Sequence, residues 1–118
     1  ARAAGRISHP GIREKAFHVL RISKDIIEEN SANEGKCKGF SQFENYYIPT
    51  LRKTLENYLN MEIKGVVLSK VQEDMSAYLD SCDEAFTKLY NSMFDDDILD
   101  LEVQMEAMNI TMKRDGLL

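Results

Sequence analysis

The chain has 118 residues and a mass of 13.5 kDa, the size of one domain. Hydrophobic residues make up 43% and charged residues 30%, the balance of an ordinary globular protein rather than a disordered one. The formal net charge of −5 argues against nucleic acid as the main partner. No apolar run approaches the roughly 18 residues that a membrane-spanning helix needs.

The charge is unevenly distributed along the chain. Residues 1–24 contain six basic residues and one acidic residue, whereas residues 25–118 contain nine basic and 19 acidic residues. Such a basic head is usually a solvated arm, although it is also typical of contact with a membrane surface or a polyanion. Residues 1–11 are small, basic and unpatterned, so they are interpreted as a linker or a cloning-derived arm, and residues 12–118 as a single helical-bundle domain.

Apolar side chains at three- and four-residue steps predict the first two helices. The first extends from about Ile12 to Asn30, with a stripe of Ile12, Ala16, Val19, Leu20, Ile26 and Ile27 that Ser23 completes. The second begins near Ser41, which fits an N-cap, and Pro49 lies in its middle. Because proline removes an amide donor, a kink is expected there. The expected buried face comprises Phe43, Tyr47, Leu51, Leu55 and Tyr58.

Two further helices are predicted after Gly65. The third extends from about Val66 to Phe94, and its seam comprises Leu68, Val71, Met75, Tyr78, Cys82, Ala85 and Leu89. The last extends from about Ile98 to Arg114, with a seam of Ile98, Leu101, Met105, Met108 and Met112. No segment shows sustained strand alternation. The sequence therefore predicts an all-α fold, an elongated antiparallel helical bundle of three long helices plus a shorter C-terminal helix.

Three consecutive aspartates, Asp95, Asp96 and Asp97, precede the last helix. The Asp-x-Asp spacing resembles the nucleophile motif of aspartate-dependent phosphatases, but that motif requires the end of a parallel strand, and no strand is predicted. As a calcium loop, the stretch places Leu99 where an oxygen ligand is needed and Asp100 where glycine is required. The aspartates are therefore interpreted as an acidic turn between helices, which suits the dipole of the following helix.

The remaining reactive side chains lack catalytic or metal-binding spacing. Cys37 lies between two lysines, which would lower its pKa, but no phosphate-binding loop follows it, so a surface thiol is favoured. His9 and His18 have no ligand spacing with another histidine or cysteine. Two distant cysteines without a secretory signal indicate free thiols in a reducing, cytoplasmic compartment. No catalytic residue, metal site or cofactor is predicted.

Two apolar clusters are candidates for either core packing or binding. The stripe of Met105, Met108 and Met112 is typical of an adaptable binding face, but core packing is favoured at helical spacing. Aromatic residues at positions 40, 43, 46 and 47 form the densest aromatic patch, and core packing is favoured there too.

The segment over residues 43–51, F-E-N-Y-Y-I-P-T-L, resembles the F-x-N-Y-Y-L-P-T signature of XpaC-like proteins, which are named for 5-bromo-4-chloroindolyl phosphate hydrolysis. The matching residues are Phe43, Asn45, Tyr46, Tyr47, Pro49 and Thr50, while Ile48 stands where leucine is usual. Residues 113–117 resemble the K-x-D-G-L close of the family, whereas residues 109–111 depart from its leucine pattern. The resemblance covers roughly residues 13–118.

The resemblance implies a helical domain whose relatives often carry hydrophobic membrane segments ahead of it. It also implies association with a helical toxic-anion-resistance (TelA-like) protein. It provides no established catalytic residues, so the signature residues are expected to be structural. If a membrane segment precedes residue 1, the basic head would lie at the cytoplasmic face of the membrane.

The favoured hypothesis is a non-enzymatic bacterial interaction domain that binds another helical protein near the membrane. The acidic turn and the methionine stripe are its candidate contacts. The alternative is a metal-dependent phosphatase acting on aryl phosphates, as the family name suggests. A third hypothesis is membrane-surface binding by the basic head.

Overall fold

A computed structural model describes residues 2–33 and 35–118 of the chain, and the described part contains helices but no strand. The helices are α1 (Arg2–Arg6), α2 (Pro10–Ala32), α3 (residues 40–63), α4 (Ser69–Ser92) and α5 (Asp95–Arg114). The molecule measures 73 × 27 × 19 Å. The predicted all-α, elongated architecture is confirmed.

Helices α2, α3 and α4 form an up-down-up bundle. Lys15 Nζ on α2 lies 2.9 Å from Asp80 on α4, and one turn further His18 Nε2 lies 3.1 Å from Asp83, so α2 and α4 are parallel. Helix α3 packs beside this pair and runs in the opposite direction, because its end reaches the start of α2, where the amide N of Ser8 donates to Glu62 Oε1 (2.6 Å). The parallel pair α2 and α4 packs most closely.

The core of the bundle begins with the predicted stripe on α2. Five of its residues are buried, namely Ile12, Ala16, Val19, Ser23 and Ile26. The Ser23 hydroxyl donates to the carbonyl of Val19 (2.9 Å), which satisfies a polar group that burial would otherwise penalise. The helix begins after His9, whose Nδ1 accepts from the amide of Ile12 (3.2 Å).

Helix α3 continues through Pro49, and the turn before the proline is π-helical over Phe43–Tyr47. The Ile48 amide donates to the carbonyl of Phe43, five residues back. The extra residue in this turn places Phe43 and Leu51, eight residues apart, on one face, and both are buried. Pro49, which has no amide hydrogen to donate, is the second residue of the α-helical stretch Ile48–Ile63, which follows this turn directly. A wide turn rather than a break accommodates the proline.

The buried face of helix α4 overlaps the predicted seam but is not identical to it. Of the predicted positions Met75 is buried, whereas Leu68 and Ala85 are exposed. The buried residues are Met75, Leu79 and Phe86, and Met93 follows directly after the helix. Positions 75, 79, 82, 86 and 89 have the same three- and four-residue steps as the predicted seam. Spacing alone therefore does not select between two overlapping seams, and the positions of α2 and α3 decide which one is covered.

The first residues belong to the fold. Helix α1 folds back along α2, and Ala4 and Ile7 are 0% and 1% exposed. The Arg13 guanidinium donates to the carbonyl of Ile7 (3.1 Å). The exclusion of residues 1–11 as an arm is therefore corrected for the described residues 2–9. A helix of five residues is too short to show an apolar period, so α1 could not be predicted from spacing.

Helix α5 projects beyond the bundle. It begins three residues before its predicted start, so Asp95, Asp96 and Asp97 form its first turn rather than a separate loop. All of its residues are exposed except the half-buried Met112. The expected core packing of the methionine stripe is wrong, since Met105 and Met108 are 51% and 59% exposed.

Candidate interaction site

Helix α5 presents two apolar stripes on opposite sides. At about 100° per residue, one stripe comprises Ile98, Leu101, Met105, Met108 and Met112, and the other comprises Leu99, Val103 and Ile110. All but Met112 are exposed large hydrophobic side chains. Contiguous exposed apolar surface of this kind marks interaction sites in soluble proteins. Helix α5 is therefore the strongest candidate for a contact surface in the described part of the chain.

The charges on α5 are predominantly negative. Its sequence contains six acidic residues, all between Asp95 and Glu106, and two basic residues, Lys113 and Arg114, at its end. This order suits the helix dipole, because acids lie near the positive N-terminus and bases near the negative C-terminus. A partner that covers the apolar stripes would meet an acid-rich first half.

Lys36 fixes the start of α5 relative to the bundle. Its Nζ lies 2.6 Å from Asp97 and 3.1 Å from Glu29 of α2, and 4.4 Å from the centre of the Phe94 ring. Hydrogen bonds to Asp97 and Glu29 raise the pKa of Lys36 above its ordinary value of 10.5. Sequence reasoning considered this lysine only as a neighbour of Cys37 and missed its role at the junction.

An open groove of about 810 Å³ lies between α2 and α3. Its apolar floor comprises Phe17, Leu20, Ile27 and Ile48, and its charged lining comprises Arg21, Lys24, Arg52 and Glu14. Phe17 and Ile27 are 42% and 41% exposed. The sequence contains a signal for this face, because positions 17, 20, 24 and 27 have steps of three, four and three residues beside the buried stripe.

The signature residues divide between the core and the surface at the end of the bundle. The buried Phe43 ring packs edge-on against Phe86, with centroids 5.1 Å apart. Tyr46 and Tyr47, which were expected in the core, are about half exposed, and their rings meet edge-on at 5.6 Å. The Tyr47 ring also lies 6.2 Å from the ring of Phe86, so it covers the edge of the core instead of filling it.

The polar signature residues make local helix contacts. Asn45 Nδ2 donates to Ser41 Oγ (3.2 Å), and the Thr50 carbonyl accepts from Thr54 Oγ1 (2.8 Å). Pro49 is exposed. These contacts support helix α3 and bring no reactive groups together.

The chain was compared with protein families, curated proteins and solved structures. The model of the family described as 5-bromo-4-chloroindolyl phosphate hydrolysis protein matches residues 1–108. The chain belongs to this family. No curated protein matches it. No solved structure matches it. The resemblance that the signature indicated is confirmed, but the matched range differs from the expected one: it begins at residue 1, includes α1, and ends at residue 108, before the C-terminal close at residues 113–117.

In this family member both thiols are sheltered. Cys37 is buried and Cys82 half-buried, and burial raises the pKa of each thiol above its ordinary value. The expected surface thiol at Cys37 is therefore wrong, and the flanking lysines do not activate it. Within residues 2–33 and 35–118, no group of three or more histidine, cysteine, aspartate or glutamate side chains is placed to hold a metal ion.

The described helices were also considered as membrane spans. None of them combines the length and the apolar character that crossing a membrane requires.

Proposed function

We propose that this chain is a helical interaction domain that binds another helical protein through α5. The observation that carries the proposal is the exposure of both apolar stripes on a 20-residue helix that buries no side chain against the bundle. An isolated helix of this length is marginal in water, because most helical stability comes from packing an apolar face. A partner helix seated on either stripe would provide that packing.

The chemistry of α5 defines the partner. It needs apolar side chains at helical spacing, flanked by basic groups that match the acids between Asp95 and Glu106. A bacterial toxic-anion-resistance (TelA-like) protein is the proposed partner, because XpaC-like relatives are associated with one. We place the complex at the cytoplasmic face of the membrane, where basic residues such as those at positions 2, 6 and 13 favour anionic lipid.

Calorimetric titration with the purified toxic-anion-resistance protein of the same organism tests the proposal. Leu101→Glu places a charge within one stripe and is expected to weaken binding at least tenfold. Ile63→Glu is the matched control, because Ile63 is equally accessible at the end of α3, and it should leave the affinity unchanged. Equal affinities of the wild type and Leu101→Glu, or the absence of binding by the wild type, would refute the proposal.

A second candidate function is metal-dependent hydrolysis of aryl phosphates, which the family description favours. The exposed acids Asp95, Asp96 and Asp100 would have to bind the metal. Purified protein assayed on 5-bromo-4-chloroindolyl phosphate with Mg²⁺ or Mn²⁺ tests this function. Turnover that Asp95→Asn abolishes would support it, whereas turnover equal to a blank would exclude it for these substrates.

A further inference from the structure

We infer that α5 of one copy docks into the groove between α2 and α3 of a second copy, so that two chains form a reciprocal dimer. The inference deepens the proposed function, because it rests on the same α5 surface and names a second copy of this chain as one of its partners. Each copy has an uncovered apolar helix and an uncovered apolar groove, and the two surfaces are complementary in charge.

The groove has the chemistry that α5 requires. Phe17, Leu20 and Ile27 supply apolar contacts at helical spacing. Arg21, Lys24 and Arg52 line the groove against one acid, Glu14, whereas α5 carries six acids and two bases. Opposite charges beside an apolar contact select this pairing and its orientation.

Charge also disfavours the simplest alternative, pairing of two α5 helices with each other. Each α5 has a net charge of −4, so such a pair would bring two acid-rich helices together. Like charges at helix–helix distances are repulsive, most strongly where water is excluded. The basic groove removes this repulsion and covers the same apolar side chains.

The junction between α4 and α5 prevents α5 from reaching the groove of its own copy. Only Met93 and Phe94 separate the two helices, and Met93 is buried. Lys36 binds Asp97 and Glu29 and covers the Phe94 ring, which fixes the direction of α5 away from the bundle. The groove must therefore be filled by α5 of another copy.

The positions of the two surfaces favour a head-to-head pair. Glu29 near the end of α2 and Asp97 at the start of α5 both contact Lys36, so α5 leaves from the end of the bundle to which α2 points. The groove extends along α2 from Glu14 to Ile27, so it is centred on the middle of the helix and stops five residues short of that end. In an inverted second copy on the same axis, the groove binds α5 of the first copy, and α5 of the second copy binds the groove of the first. Both surfaces of each copy are then occupied, so the assembly is a closed dimer.

A charge exchange measured by sedimentation equilibrium tests the inference. The wild-type chain is expected to dimerise. The groove variant Arg21→Glu/Lys24→Glu and the helix variant Asp96→Lys/Asp100→Lys should each raise the dimer dissociation constant at least tenfold. Mixed in equal amounts, the two variants should recover the wild-type constant, because each acidic surface then meets a basic one. Lys70→Glu/Lys88→Glu on the exposed surface of α4 is the control and should remain dimeric.

Each other result overturns the inference. A monomeric wild type excludes the dimer. A dimeric groove variant with a monomeric helix variant indicates pairing of two α5 helices, and failure of the mixture to dimerise excludes the charge match. Assemblies larger than a dimer exclude the closed arrangement. A wild type that is monomeric but still binds the toxic-anion-resistance protein refutes this inference alone and leaves the proposed function standing.

Discussion

The bundle and helix α5 carry the same kind of apolar repeat and use it in opposite ways. On α2, the repeat is buried against neighbouring helices, with Val19 and Ile26 almost fully covered. On α5, the repeat through Leu101, Met105 and Met108 is about half exposed. A three- and four-residue period therefore identifies a helix with an apolar face but does not identify what covers that face. On α2 other helices of the same chain cover that face, whereas on α5 the face is exposed.

The largest expected effect contrasts the two regions directly. Phe43→Ala removes a fully buried ring that packs on Phe86 and should lower the free energy of unfolding by about 3–5 kcal/mol. Leu101→Ala on α5 should change it by about 0.5 kcal/mol or less. Urea unfolding at low protein concentration measures both, because association then adds little. Equal losses of unfolding free energy in the two variants would mean that α5 is packed in solution and does not differ from the bundle.

The next largest effect is expected for α1 and tests whether this helix contributes to the stability of the bundle. Ile7→Ala should lower the free energy of unfolding by about 2–3 kcal/mol, because Ile7 is buried next to α2 and α3. Arg6→Ala on the exposed side of the same helix is the matched control, expected within about 0.5 kcal/mol of wild type. An Ile7→Ala protein as stable as the control would return residues 2–9 to the status of a loose arm.

A smaller effect is expected at Pro49. Pro49→Ala should lower the free energy of unfolding by about 0.4–1 kcal/mol, because alanine gives the unfolded chain more freedom. The π turn should persist, since converting it to an α turn would rotate Phe43 away from Leu51. Pro10→Ala in the first turn of α2 should behave similarly. A crystal structure of Pro49→Ala in which the Ile48 amide donates to Glu44 instead of Phe43 would show that the proline imposes the π turn.

The smallest effect on global stability is expected at the junction of bundle and α5. Lys36→Met should speed amide exchange over residues 94–98 while leaving the unfolding midpoint unchanged, because it frees Asp97 without disturbing the core. Lys38→Met, the exposed neighbour, is the control. Unchanged exchange in both variants would mean that Lys36 does not hold the junction.

The pH dependence of this junction follows from the same contacts. The pKa of Lys36 is raised above 10.5 in the folded chain, so its ion pairs contribute fully below 10.5. Their contribution is lost as the pH rises through the higher folded value. The carbon-13 resonance of the Lys36 side chain next to Nζ should therefore titrate above 10.5, and a titration at or below that value would contradict the observed pairing.

Much of the fold was predictable because it depends on local pattern. The four long helices, the stripe on α2 and the position of Gly65 between helices all follow from spacing and turn residues. The π turn was not predictable, because it compensates for a one-residue shift between Phe43 and Leu51 that only the packed bundle makes necessary. The burial of Leu79 and Phe86 was missed for a related reason, since two seams on α4 have the same spacing.

The candidate site was less predictable because it depends on what is left uncovered. The methionines at 105 and 108 were named as a possible contact, but burial was favoured, since nothing in their spacing reveals that no helix lies beside them. The Lys36 junction joins residues 29, 36 and 97 from three parts of the chain. Such a contact requires knowledge of the topology, and the basic groove requires it too.

The parallel arrangement of α2 and α4 determines when the molecule can fold. Lys15 and Asp80, which join these helices, are separated by 65 residues of sequence. Contacts across so long a stretch form late, because the entropy of closing the intervening chain must be lost first. During synthesis, the apolar stripe on α2 therefore stays uncovered by α4 until most of α4 has left the ribosome. The interval before α4 emerges is when the nascent chain is most exposed to aggregation and to chaperones.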